Sequence, residues 1–245
     1  LGRRVRGCTI TGVERRAKYL LFPQQRNGSE AGALVGHLRM TGRMEVVPEG
    51  AASSPWLRVR LRLSDGRGLD FIDVRKFGRF TYAREAQDVL PTLGPEPLGP
   101  DFTAAWLRKA LGARSRQIKP LLLDQSFLAG LGNIYVDESL FTARIHPLQP
   151  ARRVSARKID VLHAAIQATL REAIEREGSS FDTFYRTPEG QPGSYQAQFQ
   201  VYGRDGQPCR RCARTIQRIV VGQRGTHVCT ACQRRPRVPQ RPKTT

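Results

Sequence analysis

Two cysteine pairs near the end of the chain, Cys209-Arg210-Arg211-Cys212 and Cys229-Thr230-Ala231-Cys232, are separated by sixteen residues. Two CxxC pairs at this separation are typical of a tetrahedral zinc site, because two thiolates on one tight turn can face the same ion. The spacer predicts the β-hairpin that brings the second pair back: residues 215–221 are mostly β-branched or apolar, residues 222–225 hold the turn and residues 226–228 return. Two disulfides or four free thiols are the alternatives, although nothing in the sequence looks secretory. We therefore expect one structural zinc ion on Cys209, Cys212, Cys229 and Cys232.

The charge of the chain is strongly positive and unevenly distributed. The 245 residues carry a net charge of +20, and half of it lies between Arg204 and the C-terminus, where Asp205 is the single acid. Such a surface favours a polyanion partner, since neutralised phosphates release counterions; a merely soluble, arginine-rich protein is the alternative. The sequence has no signal-peptide pattern and no apolar run long enough to span a membrane, so we expect a cytoplasmic protein that works where nucleic acid is found.

Residues 1 to about 82 show strand patterns, and the chain begins in what looks like a strand. The clearest is the segment 56–63, where apolar residues alternate with Arg58, Arg60 and Arg62. This period of two predicts a half-buried strand with an arginine face that is solvated or meets a partner. Further strands are predicted at residues 17–22, 33–38 and 69–74.

A connector rich in proline and glycine, residues 93–100, separates these strands from a helical region. Asp101 and Ser155 are candidate caps for the first and the last of its helices. The segment 179–203 is a long loop, which is typical of a functional or disordered segment, and residues 236–245 form a basic tail. Four helices are predicted, at residues 101–111, 116–123, 133–143 and 155–178.

Two glycines, Gly130 and Gly132, precede the third predicted helix, for which Asn133 is the candidate cap. Glycine lets a backbone approach a ligand closely, and the first N–H groups of a helix suit a phosphate. An ordinary connection between two helices, without any ligand, is the alternative.

Several segments, in order along the chain, resemble the bacterial formamidopyrimidine-DNA glycosylases. Residues 130–135 with 137–141 are similar to the helix–two-turns–helix motif of that family, and the cysteine hairpin is similar to its zinc finger. Further matching segments are residues 15–21, 37–42, 73–78, 93–98 and 200–204. The resemblance covers nearly the whole chain and implies an α+β fold. Its parts are an N-terminal β-sandwich lobe (1–92), a linker (93–100), a helical domain with the lesion-recognition loop (101–203), a zinc finger (204–235) and a basic tail (236–245).

The resemblance implies a monomeric base-excision repair enzyme that binds damaged double-stranded DNA in a cleft between two lobes. Such an enzyme removes oxidised purines, including 8-oxoguanine and formamidopyrimidines, and then nicks the strand by β,δ-elimination. The base must leave the stack before excision, and apolar wedges fill the hole. Met40, Arg75 and Phe77 match the void-filling triad of the family, with core packing as the alternative for Met40 and Phe77. Residues 189–195 correspond to the lesion-recognition loop.

The resemblance also assigns residues to catalysis and to the DNA backbone. Lys18 matches a lysine that contacts the phosphate next to the lesion and assists the lyase step; a snorkelling or ion-paired lysine is the alternative. Arg224 matches the arginine that grips a flanking phosphate and is linked to the second elimination, with a solvated turn arginine as the alternative. Arg114 and Lys119 match backbone-contact positions, and Asn133 would bind phosphate through its side chain.

Three positions depart from the family pattern. The family nucleophile is an N-terminal proline followed by glutamate, whereas this chain begins with Leu1. The match at Lys18 implies that a few dozen residues, with the first strand and a helix, are missing, so we expect the chain as written to lack base excision and to expose a sheet edge. Trp56 stands roughly where the family often has a phosphate-binding histidine, and Gln191 where a lysine is common. The alternatives are a non-catalytic protein that binds lesions or abasic sites and a zinc-ribbon protein that binds RNA.

Overall fold

The computed structural model describes residues 1–180 and 186–236, so the predicted tail lies outside the described residues from 237 onward. The chain divides into two compact units. The β unit consists of Leu1–Leu93 and Glu172–Ala197, and the helical unit consists of Gly94–Arg171 and the chain from Gln198 on. Within the described ranges, every helix is too short or too polar to cross a bilayer.

The β unit contains two antiparallel sheets. The larger has the order β1-β3-β4-β8, with β2 paired to β3, and the smaller has the order β5-β7-β6. The strands are β1 (Thr9–Ile10), β2 (Glu14–Arg16), β3 (Tyr19–Arg26), β4 (Ser29–His37), β5 (Gly42–Val47), β6 (Leu57–Arg62), β7 (Gly68–Asp73) and β8 (Arg79–Ala83).

The two sheets share one hydrophobic core. Phe22 and Leu34 extend from the larger sheet and pack in the same cluster as Met44 and Phe71 of the smaller sheet. Side chains alternate across each strand, so one face of each sheet supplies this cluster. The opposite face of the larger sheet carries a second, smaller apolar cluster of Leu21, Val35 and Ala83. This arrangement is a sandwich, and it confirms the β-sandwich lobe of the predicted α+β fold.

Two details of the β unit differ from the sequence predictions. The chain begins with a short helix, α1 (Gly2–Val5), and not with a strand. The arginines of β6 are also not simply solvated, because β7 places acids and carbonyls beside them. Arg60 Nε lies 2.6 Å from Asp70 Oδ1, in its cross-strand partner, and Arg58 Nε donates to the carbonyl of Asp73 at 2.8 Å.

The helical unit is built on four helices, whose apolar faces form one core. Leu107, Leu122, Leu140 and Ile166 are fully buried in this core, which explains the apolar stripes in the sequence. The helices are α2 (Ala104–Gly112), α3 (Ile118–Leu122), α4 (Asn133–Thr142) and α5 (Ala156–Glu175).

Two of these helices begin differently from the prediction. Thr103 caps α2, because its hydroxyl accepts the N–H of Trp106 at 3.0 Å, so the helix begins later than the predicted cap Asp101. Gly132, and not Asn133, is the N-cap of α4. The residue with the extended cap geometry lies two positions after the predicted one in α2 and one position before it in α4.

The zinc-finger hairpin has strands β9 (Gln217–Val221) and β10 (Arg224–Val228). Its turn is Gly222–Gln223, two residues with φ angles of +56° and +62°. Positive φ at both central residues is the geometry of a type I′ turn, whose twist matches antiparallel strands. The predicted hairpin is confirmed, although its turn is shorter than the predicted span 222–225.

Candidate nucleic-acid interface

The four cysteines of the hairpin region come together as predicted. Their sulfur atoms all lie within 4.8 Å of one another, and none of the four is in a disulfide. Zinc–sulfur bonds of about 2.3 Å in a tetrahedron place the sulfurs about 3.8 Å apart, so the cluster fits one structural zinc ion. The two disulfides considered as an alternative are not formed. The cysteines are Cys209, Cys212, Cys229 and Cys232.

Arg224 is exposed at the start of β10, and the residue after it is tied to the helices beneath. The carbonyl of Gly225 accepts two hydrogen bonds, from Lys119 Nζ at 3.2 Å and from Asn133 Nδ2 at 2.9 Å. Gly222 also packs closely, since a Cβ there would lie 2.9 Å from the ring of Pro120. These contacts therefore hold the tip of the hairpin against α3 and against the first residue of α4.

Lys119 is fully buried and paired with Asp137, which is buried as well. Lys119 Nζ lies 2.6 Å from Asp137 Oδ1, and Asp137 Oδ2 accepts the backbone N–H of His227 in β10 at 2.9 Å. Burial lowers the pKa of Lys119, and the charge of Asp137 opposes this effect. Direct contact of Lys119 with DNA does not agree with this placement. Its position fits a residue that holds the hairpin instead.

Asn133 also serves the hairpin. Its amide nitrogen donates to Gly225, and its Oδ1 is buried with no hydrogen-bond partner among the described residues. The amide nitrogen carries a second N–H that this bond does not use, so the predicted phosphate contact of the side chain stays a prediction. Arg114, by contrast, is exposed in the segment before α3, where its carbonyl accepts the N–H of Arg152 at 2.9 Å.

Met40, Arg75 and Phe77 form an exposed cluster, which we call the wedge. Met40 is 62% exposed and Phe77 is 53% exposed. The guanidinium of Arg75 lies between them: its Nη1 is 3.7 Å from Met40 Sδ, and its central carbon is 5.2 Å from the centre of the Phe77 ring. Core packing, the alternative for Met40 and Phe77, does not agree with these exposures. The structure brings the three predicted residues together on the surface.

A single buried carboxylate, Asp73, holds both loops of the wedge. Its Oδ1 accepts the hydroxyl of Thr41 at 2.5 Å and the N–H of Arg75 at 3.3 Å, and its Oδ2 accepts the N–H of Gly78 at 2.7 Å. Burial alone would raise the pKa of Asp73, but these hydrogen bonds, led by that from Thr41, hold it below its usual value. Gly78 leaves the space that this requires, because a Cβ there would lie 2.5 Å from the Phe71 ring.

Lys18 is exposed in the turn between β2 and β3, and not inside a strand as predicted. The positive φ of Ala17, +52°, produces the turn. The charge of Lys18 acts on His37, whose pKa is lowered to about 4 by burial first, then by the charges of Arg39, Lys18 and Arg79. His37 Nδ1 accepts the N–H of Arg39 at 3.0 Å, so a neutral imidazole carries its proton on Nε2.

His37, Arg39 and Arg79 line a cavity of about 620 Å³ that also includes Gly78 of the wedge loop. A hydrogen-bond donor surrounded by cations suits a phosphate. The sequence predictions included His37 only as part of a matching segment, and they gave Trp56 as a departure at the position of a phosphate-binding histidine. Trp56 is 46% exposed, and its carbonyl accepts the N–H of Asp73 at 3.0 Å.

The predicted lesion-recognition loop, residues 189–195, is described in full, whereas residues 181–185 of the longer predicted loop 179–203 lie outside the described residues. Thr187 and Gln191 close a small turn: the N–H of Thr187 donates to the carbonyl of Gln191 at 2.8 Å, and the N–H of Gln191 donates to the Thr187 hydroxyl at 3.2 Å. The carbonyl of Pro188 accepts the N–H of Val46 in β5 at 3.3 Å. This part of the loop is thus attached to the smaller sheet.

Family models match three consecutive regions of the chain. Residues 1–80 match the formamidopyrimidine-DNA glycosylase N-terminal domain, and residues 93–185 match the H2TH domain of the same family. Residues 206–235 match a zinc finger found in FPG and IleRS.

Individual proteins agree with these matches over most of their length. The formamidopyrimidine-DNA glycosylase of Geobacillus kaustophilus is 45% identical over 235 residues, which are 94% of this chain and 84% of that protein. The crystal structure of the MutM (Fpg) protein from Thermus thermophilus is 41% identical, with a TM-score of 0.85, over 94% of this chain and 85% of that one. The Lactococcus lactis Fpg in complex with DNA that contains an abasic site is 37% identical, with a TM-score of 0.83, over 94% of this chain and 83% of that one.

Proposed function

Because this chain belongs to the formamidopyrimidine-DNA glycosylase family, we propose that it binds duplex DNA at oxidised purines and at abasic sites in base-excision repair. The substrates would be 8-oxoguanine and formamidopyrimidines. Relatives with Fapy-dG or an abasic site in their bound DNA support this substrate class.

The exposed wedge is the observation that carries the proposal. A soluble protein rarely leaves a methionine and a phenylalanine exposed around one arginine without a reason. When a base leaves the stack, apolar side chains can fill the gap while a guanidinium bonds to the base left unpaired. We assign these roles to Met40 and Phe77 and to Arg75, and Asp73 keeps the three in place.

Side chains in each of the two units would bind the phosphates of the DNA backbone. In the β unit, Lys18 and His37 would contact phosphate next to the lesion, and Lys18 would assist the elimination that nicks the strand. In the helical unit, Arg224 and Arg114 would contact phosphates, and Arg224 would assist the second elimination. Lys119 would act by holding the hairpin in place, and Asn133 would bind phosphate through its remaining amide N–H.

The attack on the sugar is the step for which residues 1–245 offer no assigned group. In the family an N-terminal proline supplies the amine, and residue 1 here is leucine. We propose that excision and nicking depend on such a proline, and that the residues assigned above bind the DNA. We further propose that the protein acts in the bacterial cytoplasm and that it acts as a monomer. Sedimentation would test the monomeric state.

The test is a duplex with one 8-oxoguanine, incubated with borohydride to trap a Schiff base. Residues 1–245 should bind the duplex without being trapped, whereas the product of an in-frame coding sequence upstream of Leu1 that begins Met-Pro-Glu should cut it and be trapped. If that longer product neither cuts nor is trapped, the enzymatic proposal is wrong.

Binding by residues 1–245 tests the wedge on its own. Affinity for a duplex with a stable abasic-site analogue should exceed that for the intact duplex. Phe77→Ala should reduce this preference by about 1–3 kcal/mol, the range measured for contacts between an aromatic side chain and a base. Val220→Ala, which removes another exposed apolar side chain, is the control. Equal affinities of the unmodified chain for the two duplexes would refute the role of the wedge.

A further inference from the structure

We propose that Arg116 binds a backbone phosphate of the DNA, as a third member of a row with Arg114 and Arg224. This inference rests on the proposed function, because it names a further contact for the same DNA. Arg116 is not one of the residues that the resemblance implies. It is assigned from the geometry of the helical unit.

Two neighbouring cavities place Arg116 in the middle of the row. One cavity, of about 340 Å³, is lined by Arg116 and Arg224. The other, of about 490 Å³, is lined by Arg116 and Arg114. Both include Asp124, so they adjoin one another along the same surface. A strand that contacts Arg114 and Arg224 would therefore pass Arg116.

The position of Arg116 is fixed before any DNA binds. Its Nη1 donates to Asp124 Oδ2 at 3.0 Å, and Asp124 Oδ1 accepts the hydroxyl of Ser126 at 2.6 Å. The carbonyl of Arg116 accepts the N–H of Ala151 at 2.9 Å, which ties down the backbone. A preset guanidinium loses little conformational entropy on binding a phosphate.

Asp124 does not cancel the attraction of this surface for a phosphate. The hydrogen bond from Ser126 comes first among the interactions that hold the pKa of Asp124 below its usual value, so the carboxylate is charged at neutral pH. It stands against three arginines, and one of its oxygens already accepts from Arg116. A guanidinium has five N–H donors, which allows it to bridge a carboxylate and a phosphate.

Arg108 provides a matched control within the same unit. Its Nε lies 2.8 Å from Asp160 Oδ1. The side chains of Arg108 and Arg116 are 47% and 55% exposed, so both are partly exposed arginines paired with an aspartate. Arg108 lines neither of the two cavities. Any effect of net charge alone should be the same for Arg108→Gln and Arg116→Gln.

The experiment measures the affinity of the full chain for an abasic-analogue duplex over a series of salt concentrations. Each lost phosphate contact reduces the slope of log Kd against log salt by about 1. Arg116→Gln and Arg224→Gln should each show this reduction, together with a several-fold weaker affinity. Arg108→Gln should keep the slope of the unmodified chain. Arg116→Lys, which keeps the charge, should keep most of the slope.

The outcomes separate this inference from the proposed function. If Arg224→Gln reduces the slope and Arg116→Gln does not, the role of Arg116 is refuted and DNA binding stands. If Arg108→Gln reduces the slope as much as Arg116→Gln, the effect is one of net charge and the inference is also refuted. If the unmodified chain does not prefer the abasic-analogue duplex, the proposed function itself fails. Zinc content and circular dichroism of each variant show that the fold is retained.

Discussion

The β unit and the helical unit each hold an exposed group in place with one fully buried carboxylate. The partners that stabilise the charge of that carboxylate differ between the two units. In the β unit, Asp73 accepts hydrogen bonds from a hydroxyl and two backbone N–H groups, and it holds the wedge. In the helical unit, Asp137 pairs with the ammonium of Lys119 and accepts a backbone N–H from the hairpin that carries Arg224. Only the second arrangement lies beside a metal cluster.

The difference follows from what each group must do. The loops of the wedge follow two strands of the sandwich, which already hold their ends. Hydrogen bonds from neutral donors to Asp73 are therefore enough to fix these loops. The hairpin has five residues in each strand and little apolar core, which is too little for independent stability in water. Zinc and a buried ion pair provide what the core does not. We therefore expect the zinc-finger hairpin and the wedge to lose their structure under different conditions.

The largest expected effect is the loss of zinc. Structural zinc contributes about 10–16 kcal/mol to the folding of small zinc-finger peptides. A strong chelator, or Cys229→Ser, should unfold the hairpin and abolish the contribution of Arg224 to DNA binding, while the wedge remains folded. Hydrogen exchange should show loss of amide protection at 217–228 and its retention at 33–44.

Cys8→Ser is the control for zinc removal, because Cys8 is outside the cluster. It should leave the zinc content at one ion per chain. Retention of amide protection in the hairpin after complete zinc removal would contradict this account and would make the two regions alike.

The next largest effect is expected from the buried ion pair. Removal of one partner leaves an uncompensated buried charge, which typically costs about 3–5 kcal/mol. Lys119→Met should therefore strongly destabilise the helical unit in urea. Lys119→Met combined with Asp137→Asn should cost less than the two single variants together, because no charge remains buried.

Asp160→Asn breaks an exposed pair in the same unit and is the control for the buried pair. Exposed pairs contribute about 0–1 kcal/mol, so this variant should unfold almost as the unmodified chain does. Additive effects of the two changes at Lys119 and Asp137 would show that the pair does not act as a unit.

A smaller effect is expected in the β unit. Asp73→Asn replaces an oxygen acceptor with an amide that cannot accept all three hydrogen bonds, at a cost of about 1–3 kcal/mol. Because the pKa of Asp73 is lowered in the folded protein, the contribution of its carboxylate to folding stability is present above the unfolded pKa of about 3.9. This contribution is lost as the pH falls through the folded pKa. The preference for the abasic-analogue duplex should decrease in this variant, while the salt slope due to Arg224 is unchanged.

Asp65→Asn is the matched control for Asp73. Asp65 also has a lowered pKa, through the hydrogen bond from Arg67, but it is exposed to solvent. Its substitution should leave the abasic preference unchanged, and it should change acid stability less than Asp73→Asn does because solvent screens the exposed pair. A loss of preference in both variants would mean that general charge, and not the pinning of the wedge, is responsible.

The sequence predicted the fold where the signal is local. Spacing of the cysteines predicted the zinc hairpin, and the apolar stripes predicted the helices, because both patterns lie within a short stretch of chain. The matched motifs predicted Met40, Arg75 and Phe77 as one cluster, although 35 residues separate the first two.

The buried carboxylates were not predicted, because their partners are distant in sequence. Thr41 lies 32 residues from Asp73, and His227 lies 90 residues from Asp137. The resemblance implied a DNA-backbone contact for Lys119, whereas the structure buries this lysine, a residue type that is mostly exposed. An acid inside an apolar run, such as Ile72-Asp73-Val74, was the available signal.

The smallest expected effect concerns His37, and it tests whether the β unit binds phosphate as the helical unit does. In the absence of DNA the pKa of His37 is about 4, and burial and the nearby cations keep the ring neutral at pH 7. A bound phosphate would offset those cations and raise the pKa, so DNA binding would take up a proton. Affinity should therefore increase as the pH falls from 7 toward 5.

The stability of the folded protein should change in the opposite direction. Because the pKa of His37 is lowered on folding, its contribution to stability is present above the unfolded value of about 6.5 and is lost as the pH falls toward 4. His37→Asn keeps an acceptor for the N–H of Arg39 but does not titrate, so it should bind with a flatter pH dependence. An identical pH dependence for the two proteins would show that His37 does not face the phosphate, and would leave Lys18 as the only phosphate contact assigned to this unit.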